Sequence, residues 1–262
     1  MTDAPKYTTQ LQAGLGLVPE TLKLLALWEP GMEGQDVLRT ALKSGCFPSV
    51  TARRLRNVII EAFCPRYLTD GGAPARLLKA VSDSLSKDDF RSLCFVFTCR
   101  ANPILADFVR QVYWPRYAAG ISFVSKQDSL DFVSAAVLDG RTTTSWSEAT
   151  VIRIARYLLG ACADFGLLGL MKAGERAINP FRITPTVTSL LAHDLHYRGL
   201  SDNALLRSPD WGLFGLEPDE VVGELKRVSL RGALIVQSAG GLTHVSWKHK
   251  SLEELAHGFA HS

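Results

Sequence analysis

Along most of this chain apolar residues recur every three or four positions, the spacing of helices that bury one face; only twice does that period give way to paired short apolar runs. Strands are therefore expected only as two hairpins, and the rest must be built by packing helices. The spacing predicts helices over 19–28, 34–44, 50–63, 74–85, 87–100, 102–119, 128–138, 147–165, 185–198, 218–230 and 251–259. Glycine and proline punctuate them. Pro19 suits a first turn, Glu29-Pro30-Gly31 ends the first helix, and Gly45, Gly140 and Gly166 stop three others. Leu167–Leu170 and Phe181–Ile183, separated by the basic tip Lys172–Asn179, predict one hairpin. Ala233–Ser238 and Leu242–Trp247, joined by Ala239-Gly240-Gly241, predict the other.

The expected fold class is mainly α: a helical bundle with a helix-turn-helix, plus winged-helix units carrying short β-hairpins. Residues 1–120 are read as a helical N-terminal domain containing the helix-turn-helix. Residues 121–198 are read as a winged-helix domain, because helix, polar turn, helix and hairpin follow one another there. The same order over 200–247 makes 199–262 a winged-helix-like region. No repeat of fixed period is present.

Composition narrows the function. No run approaches eighteen uninterrupted apolar residues, and the most apolar window, Tyr157–Met171, is broken by Asp164 and glycines, so no membrane span is expected. The first ten residues lack a basic stretch leading into an apolar one, and the five cysteines are odd in number and scattered. Both features point to a cytoplasmic protein with reduced thiols. The net charge of +3 is uneven: residues 1–120 carry 15 Lys/Arg against 11 Asp/Glu, 121–198 carry 8 against 7, and 199–262 carry 6 against 8. A basic first half permits a polyanionic partner.

Helices 34–44 and 50–63 have helix-turn-helix spacing, which would present the start of the second helix to the major groove. Thr51, Arg53, Arg54, Arg56 and Asn57 lie there; arginine suits guanine edges and phosphates, and asparagine suits adenine. In the middle unit the corresponding set is Arg141, Thr143, Ser147, Thr150 and Arg153, with Lys172 and Arg176 on the hairpin tip. Glu148 and Glu175 sit among them and would repel phosphate. A solvated helix face is the plainer reading of the arginines, and winged helices also dock proteins.

His193 and His196 share a helix side, but neither thiols nor carboxylates accompany them, so a surface or interdomain role is expected rather than metal ligation. Cys94 and Cys99 read as buried thiols, and Asp88-Asp89 as a helix amino end. Nucleophile elbows, phosphate-binding loops and dinucleotide fingerprints are lacking. No catalytic residue, metal, cofactor or small-molecule substrate is expected, and the chain is not read as an enzyme.

The ordered series Tyr7-Thr8, Glu20-Thr21 leading to Trp28, and Thr51-x-x-Arg54 leading to Arg66-Tyr67-Leu68 resembles the opening of the BrxA family. Asp107-Phe108-Val109, Phe123, Trp146, Thr150 and Asp164-Phe165-Gly166-Leu167-Leu168 continue the resemblance, which runs through most of residues 7–200. It implies a small, non-enzymatic, mostly helical protein of bacterial BREX phage-exclusion operons. Such a protein would bind double-stranded DNA and act with other BREX components. The alternative is a winged-helix adaptor that docks other defence proteins without touching DNA.

Overall fold

The computed structural model describes residues 6–239, 242–251 and 254–255. It is mainly helical. A 3-10 turn (Gln10–Ala13) precedes α1 (Val18–Leu27) and α2 (Gly34–Ser44). Next come α3 (Ala52–Asn57), a π-helical stretch (Val58–Phe63), α4 (Cys64–Tyr67), α5 (Ala73–Val81) and α6 (Lys87–Ala101). α7 (Pro103–Phe108), a second π stretch (Val109–Tyr113) and α8 (Trp114–Ala118) lead to β1 (Phe123–Ser125), α9 (Lys126–Leu138) and α10 (Glu148–Asp164). The hairpin β2 (Leu168–Lys172) and β3 (Glu175–Ile178) follows, then α11 (Pro185–Tyr197), α12 (Asp202–Leu206) and α13 (Pro218–Ser229). β4 (Leu234–Ala239) and β5 (Leu242–Trp247) close the series. No single helix among the described residues is long and apolar enough to cross a membrane.

The chain divides into two compact units, each assembled from two stretches: 1–75 with 94–181, and 76–93 with 182–262. In the first unit, Phe95 packs against both Phe165 and Phe181, with centroids 5.3 and 5.4 Å away. Phe63, Tyr67 and Phe97 continue this aromatic core. The start of the chain is pinned to the same unit. Tyr7 is fully buried, and its hydroxyl donates to Asp107 Oδ2 at 2.6 Å. Arg141 reaches the same oxygen at 2.6 Å and lies over the Tyr7 ring. The Tyr7 N–H donates to the Arg141 carbonyl, and the Thr143 N–H donates to the Tyr7 carbonyl.

The sheet of this unit has order β1-β3-β2, all antiparallel. Its hairpin corrects the expected register. The second strand is Glu175–Ile178 rather than Phe181–Ile183, and the turn is the pair Ala173-Gly174, with φ of 51° and 90°. Two successive positive φ values make a tight hairpin turn, which a long basic tip would not need. Phe181 belongs to the core instead, and β1 had no sequence signal beyond Val124, its one buried residue.

Two helices of the first unit share a device. Phe63-Cys64-Pro65-Arg66-Tyr67 and Tyr113-Trp114-Pro115-Arg116-Tyr117 each follow a π stretch, so the helix expected to end at Phe63 runs on through Tyr67. Proline has no N–H and its ring collides with the carbonyl four residues back. Widening the turn resolves both problems: the Cys64 N–H bonds the Ile59 carbonyl and the Trp114 N–H bonds that of Val109, each five residues back. The arginine after each proline then serves as an anchor. Arg66 is 3% exposed and its guanidinium donates to the carbonyls of Gly14 and Leu15, the latter at 2.9 Å. Arg116 pairs with Asp128 in the first turn of α9.

The second unit is built around α11, buried at every position from Val187 to Leu195, as a central helix must be. α12, α13 and the β4–β5 hairpin surround it. The pairing Leu234↔Trp247 through Ala239↔Leu242 matches the expected hairpin, whose connecting pair 240–241 lies outside the described residues. Most of the expected last helix, 251–259, also lies outside them.

His193, expected at a surface or between domains, is fully buried inside this unit. Its Nδ1–H donates to the Ser189 carbonyl at 2.7 Å, and Trp247 lies edge-on at 4.7 Å. Burial pushes its pKa from 6.5 down to about 4. The unfolded chain therefore takes up this proton first. The stability tied to neutral His193 is complete above pH 6.5 and is lost as pH falls toward 4. His193→Gln should flatten the fall in melting temperature between pH 6.5 and 4.5; an unchanged profile would assign that fall to other groups.

Candidate nucleic-acid interface

Thr51 caps α3, its Oγ1 accepting the Arg54 N–H at 3.2 Å, so the hydroxyl serves the helix. Leu55, Val58 and Ile59 turn inward. That leaves Arg53, Arg54 and Arg56 exposed, with Asn57 half-buried. Arg54 is partly committed, because its Nη1 donates to the Ala13 carbonyl at 2.7 Å. Arg53 and Arg56 make no hydrogen bond or ion pair with the described residues, and their three-residue spacing puts them on one helix side. The first turn of α3 holds no acidic residue. Cations at a helix amino end oppose its dipole, so this cluster does nothing for the helix itself.

The residues expected of the middle unit are placed differently. Arg141 is bound to Asp107, and Thr143 is exposed beside it. Ser147 caps α10 and contacts the Thr150 hydroxyl at 3.2 Å. Arg153 reaches Thr150 Oγ1 only at 3.5 Å and is half-buried. On the hairpin, Arg176 folds back to donate to the Gly169 carbonyl at 2.7 Å. Lys172 is exposed, directly across the ladder from Glu175. Of the twelve expected residues, Arg53, Arg56 and Lys172 are exposed and make no side-chain hydrogen bond or ion pair among the described residues, while Arg54, Arg141 and Arg176 are held by their own chain.

Sequence reasoning passed over Arg156, exposed on α10 three residues after Arg153; that spacing was the available signal. It lines a groove of about 230 Å³ with Lys126, Leu130, Ile152, Leu159 and Met171. Ile152 is 49% exposed, and Leu170 on the neighbouring strand is 90% exposed. This face mixes cations with uncovered apolar side chains. The described residues contain no cluster of three or more His, Cys, Asp or Glu that could hold a metal ion.

The BrxA family model matches residues 5–194 of this sequence. No curated protein matches. Among solved structures, the chain is similar to an uncharacterized protein from Magnetospirillum magneticum, with a TM-score of 0.58 at 15% identity. The similarity covers 78% of this chain and 98% of the other. At that identity the likeness shows a shared fold.

Proposed function

The chain belongs to the BrxA family, and from that premise we propose that it is a non-enzymatic, largely sequence-tolerant double-stranded DNA-binding protein of a bacterial BREX phage-defence system, working in the cytoplasm beside other BREX proteins. The observation that carries the DNA reading is the start of α3, where Arg53 and Arg56 lie on one helix side, exposed and without a side-chain partner among the described residues, and where Arg53, in the first turn, opposes the helix dipole. Exposed cations without an acidic neighbour suit an anionic partner. Two unpaired arginines one helical turn apart match phosphate spacing better than base-edge readout, which favours tolerance of sequence. The segment 123–178 supports the same reading. The order of strand, helix, turn, helix and hairpin, closed by the sheet order β1-β3-β2, is what a winged helix requires, and in that reading α10 would take the recognition position.

A second reading draws on the groove between α9, α10 and β2. Exposed Ile152 and Leu170 suit protein contact better than phosphate, so this winged helix would dock a partner while α3 holds DNA. The test is fluorescence anisotropy of the full chain on two unrelated duplexes over a salt series. The expected result is similar affinity for both, falling steeply with salt. Absence of binding at low salt would overturn the DNA reading and leave the adaptor.

A further inference from the structure

Both helices that border the groove of about 230 Å³ give it a cation and an apolar side chain one turn away. Lys126 and Leu130 stand four residues apart on α9, and Ile152, Arg156 and Leu159 form one stripe of α10. Met171 of β2 also lines it, with a flexible side chain that adapts to what packs against it. Among the described residues, no carboxylate lines the groove.

Lys126 and Arg156 are exposed, and neither forms an ion pair with the described residues. Their own helices cannot supply one. The positions three and four residues from Arg156 hold Ile152, Arg153, Leu159 and Gly160, and those after Lys126 hold Ser129 and Leu130. Asp128 is two residues from Lys126 but is taken: it accepts from Ser125 in the cap of α9 and pairs with Arg116. The Arg156 guanidinium lies 5.8 Å from the Tyr157 ring, a contact that does not engage its N–H donors. Arg110, Arg116 and Arg141 of the same unit are each bound to an aspartate instead.

These features narrow the occupant. The volume falls below the roughly 300–1,000 Å³ of small-molecule sites, so the groove fits anchoring side chains of a macromolecule. Uncovered apolar side chains offer nothing to phosphate, whereas an apolar centre with a charged rim is the composition of a protein interface. The ridges of two packed helices, α9 and α10, suit a third helix laid between them. Charge sets its chemistry and direction. Carboxylates belong at the end held by Lys126 and Arg156, and away from Glu148, which is exposed in the first turn of α10 one turn before Ile152.

We propose that this groove docks an acidic amphipathic helix of another protein, its apolar face on Leu130, Ile152, Leu159 and Met171 and its carboxylates on Lys126 and Arg156. The proposal rests on the docking reading of this groove and adds to it the chemistry of the partner.

Photo-crosslinking in cells that express the full chain with the other BREX proteins tests it. Benzoylphenylalanine replaces Ile152 in one variant and Leu170 in another, and mass spectrometry maps the crosslinked peptide. The expected product is a peptide of another protein in which apolar residues recur every three or four positions and Asp and Glu outnumber Lys and Arg. Lys126→Glu with Arg156→Glu should cut the yield at least tenfold at an unchanged melting temperature, since both positions are exposed and glutamate suits the first turn of α9. Ile152→Asp, read from the crosslinker at Leu170, should do the same. Loss with Ile152→Asp but an unchanged yield after charge reversal, or a neutral or basic crosslinked peptide, would overturn the acidic helix and leave the docking reading standing. No crosslink from either position, or crosslinks to DNA alone, would overturn both. A loss of duplex binding after this charge reversal that matches the loss in Arg53→Glu with Arg56→Glu would assign these cations to DNA and overturn the proposal.

Discussion

Arg66→Ala should lower the melting temperature by about 10 °C or more, the largest effect expected of any single side chain here. Arg66 is buried, has no carboxylate partner among the described residues, and is held by the carbonyls of Gly14 and Leu15. Burial depresses its pKa, and the two carbonyls are hydrogen-bond acceptors for the buried guanidinium. Each hydrogen bond to a charged group contributes about 1.5–3 kcal/mol, and removal also strands two buried carbonyls and opens a cavity. The loss is then on the order of 3–5 kcal/mol, a large share of a typical folding free energy. Arg116→Ala, at the matching position after the second π stretch, removes a partly exposed pair with Asp128 (side chains 22% and 21% exposed) and should cost far less, about 1 kcal/mol. Thermal unfolding of both variants checks the contrast. Similar small shifts in the two would mean that the Gly14–Leu15 loop does not depend on Arg66.

Arg53→Glu with Arg56→Glu should weaken duplex binding on every sequence and flatten the dependence of log affinity on log salt by about two units, since each phosphate contact contributes roughly 0.9. Arg54 is the wrong residue for this test, because its bond to Ala13 mixes folding with binding. The chosen pair is exposed, and glutamate near a helix amino end is favourable, so the fold should hold. Lys172→Ala serves as the control and should act weakly, since Glu175 faces it across the hairpin. Anisotropy across a salt series with melting checked in parallel decides it. An unaltered slope would remove α3 from the interface.

The helices were legible because each carries its own punctuation. α2, α6, α10, α11 and α13 lie within a residue or two of their expected bounds. The β4–β5 ladder was marked by its glycine pair. The first hairpin was misplaced because Glu175–Ile178 alternates and carries little apolar signal, whereas Phe181 looks like strand but fills a gap beside Phe95. The site was half legible. Local sequence showed that α3 begins with arginines. It could not show that Arg141 would meet Asp107, or Arg176 the Gly169 carbonyl, because those partners are fixed by packing. His193 was misjudged for the same reason: burial is a property of the whole unit, while spacing reports only the helix.

The discontinuity of the two units governs the order in which a ribosome can complete them. Tyr7 emerges early, yet Asp107 and Arg141, which hold its hydroxyl and backbone, follow 100 and 134 residues later. At about 5–20 residues per second the segment waits on the order of ten seconds for its partners. The second unit is delayed more, since 76–93 must await everything after 182. During that interval the arginines of α3 are already outside the exit tunnel on an unfinished scaffold. Vectorial synthesis therefore presents the cationic end of this protein to the cell before the core that positions it has closed.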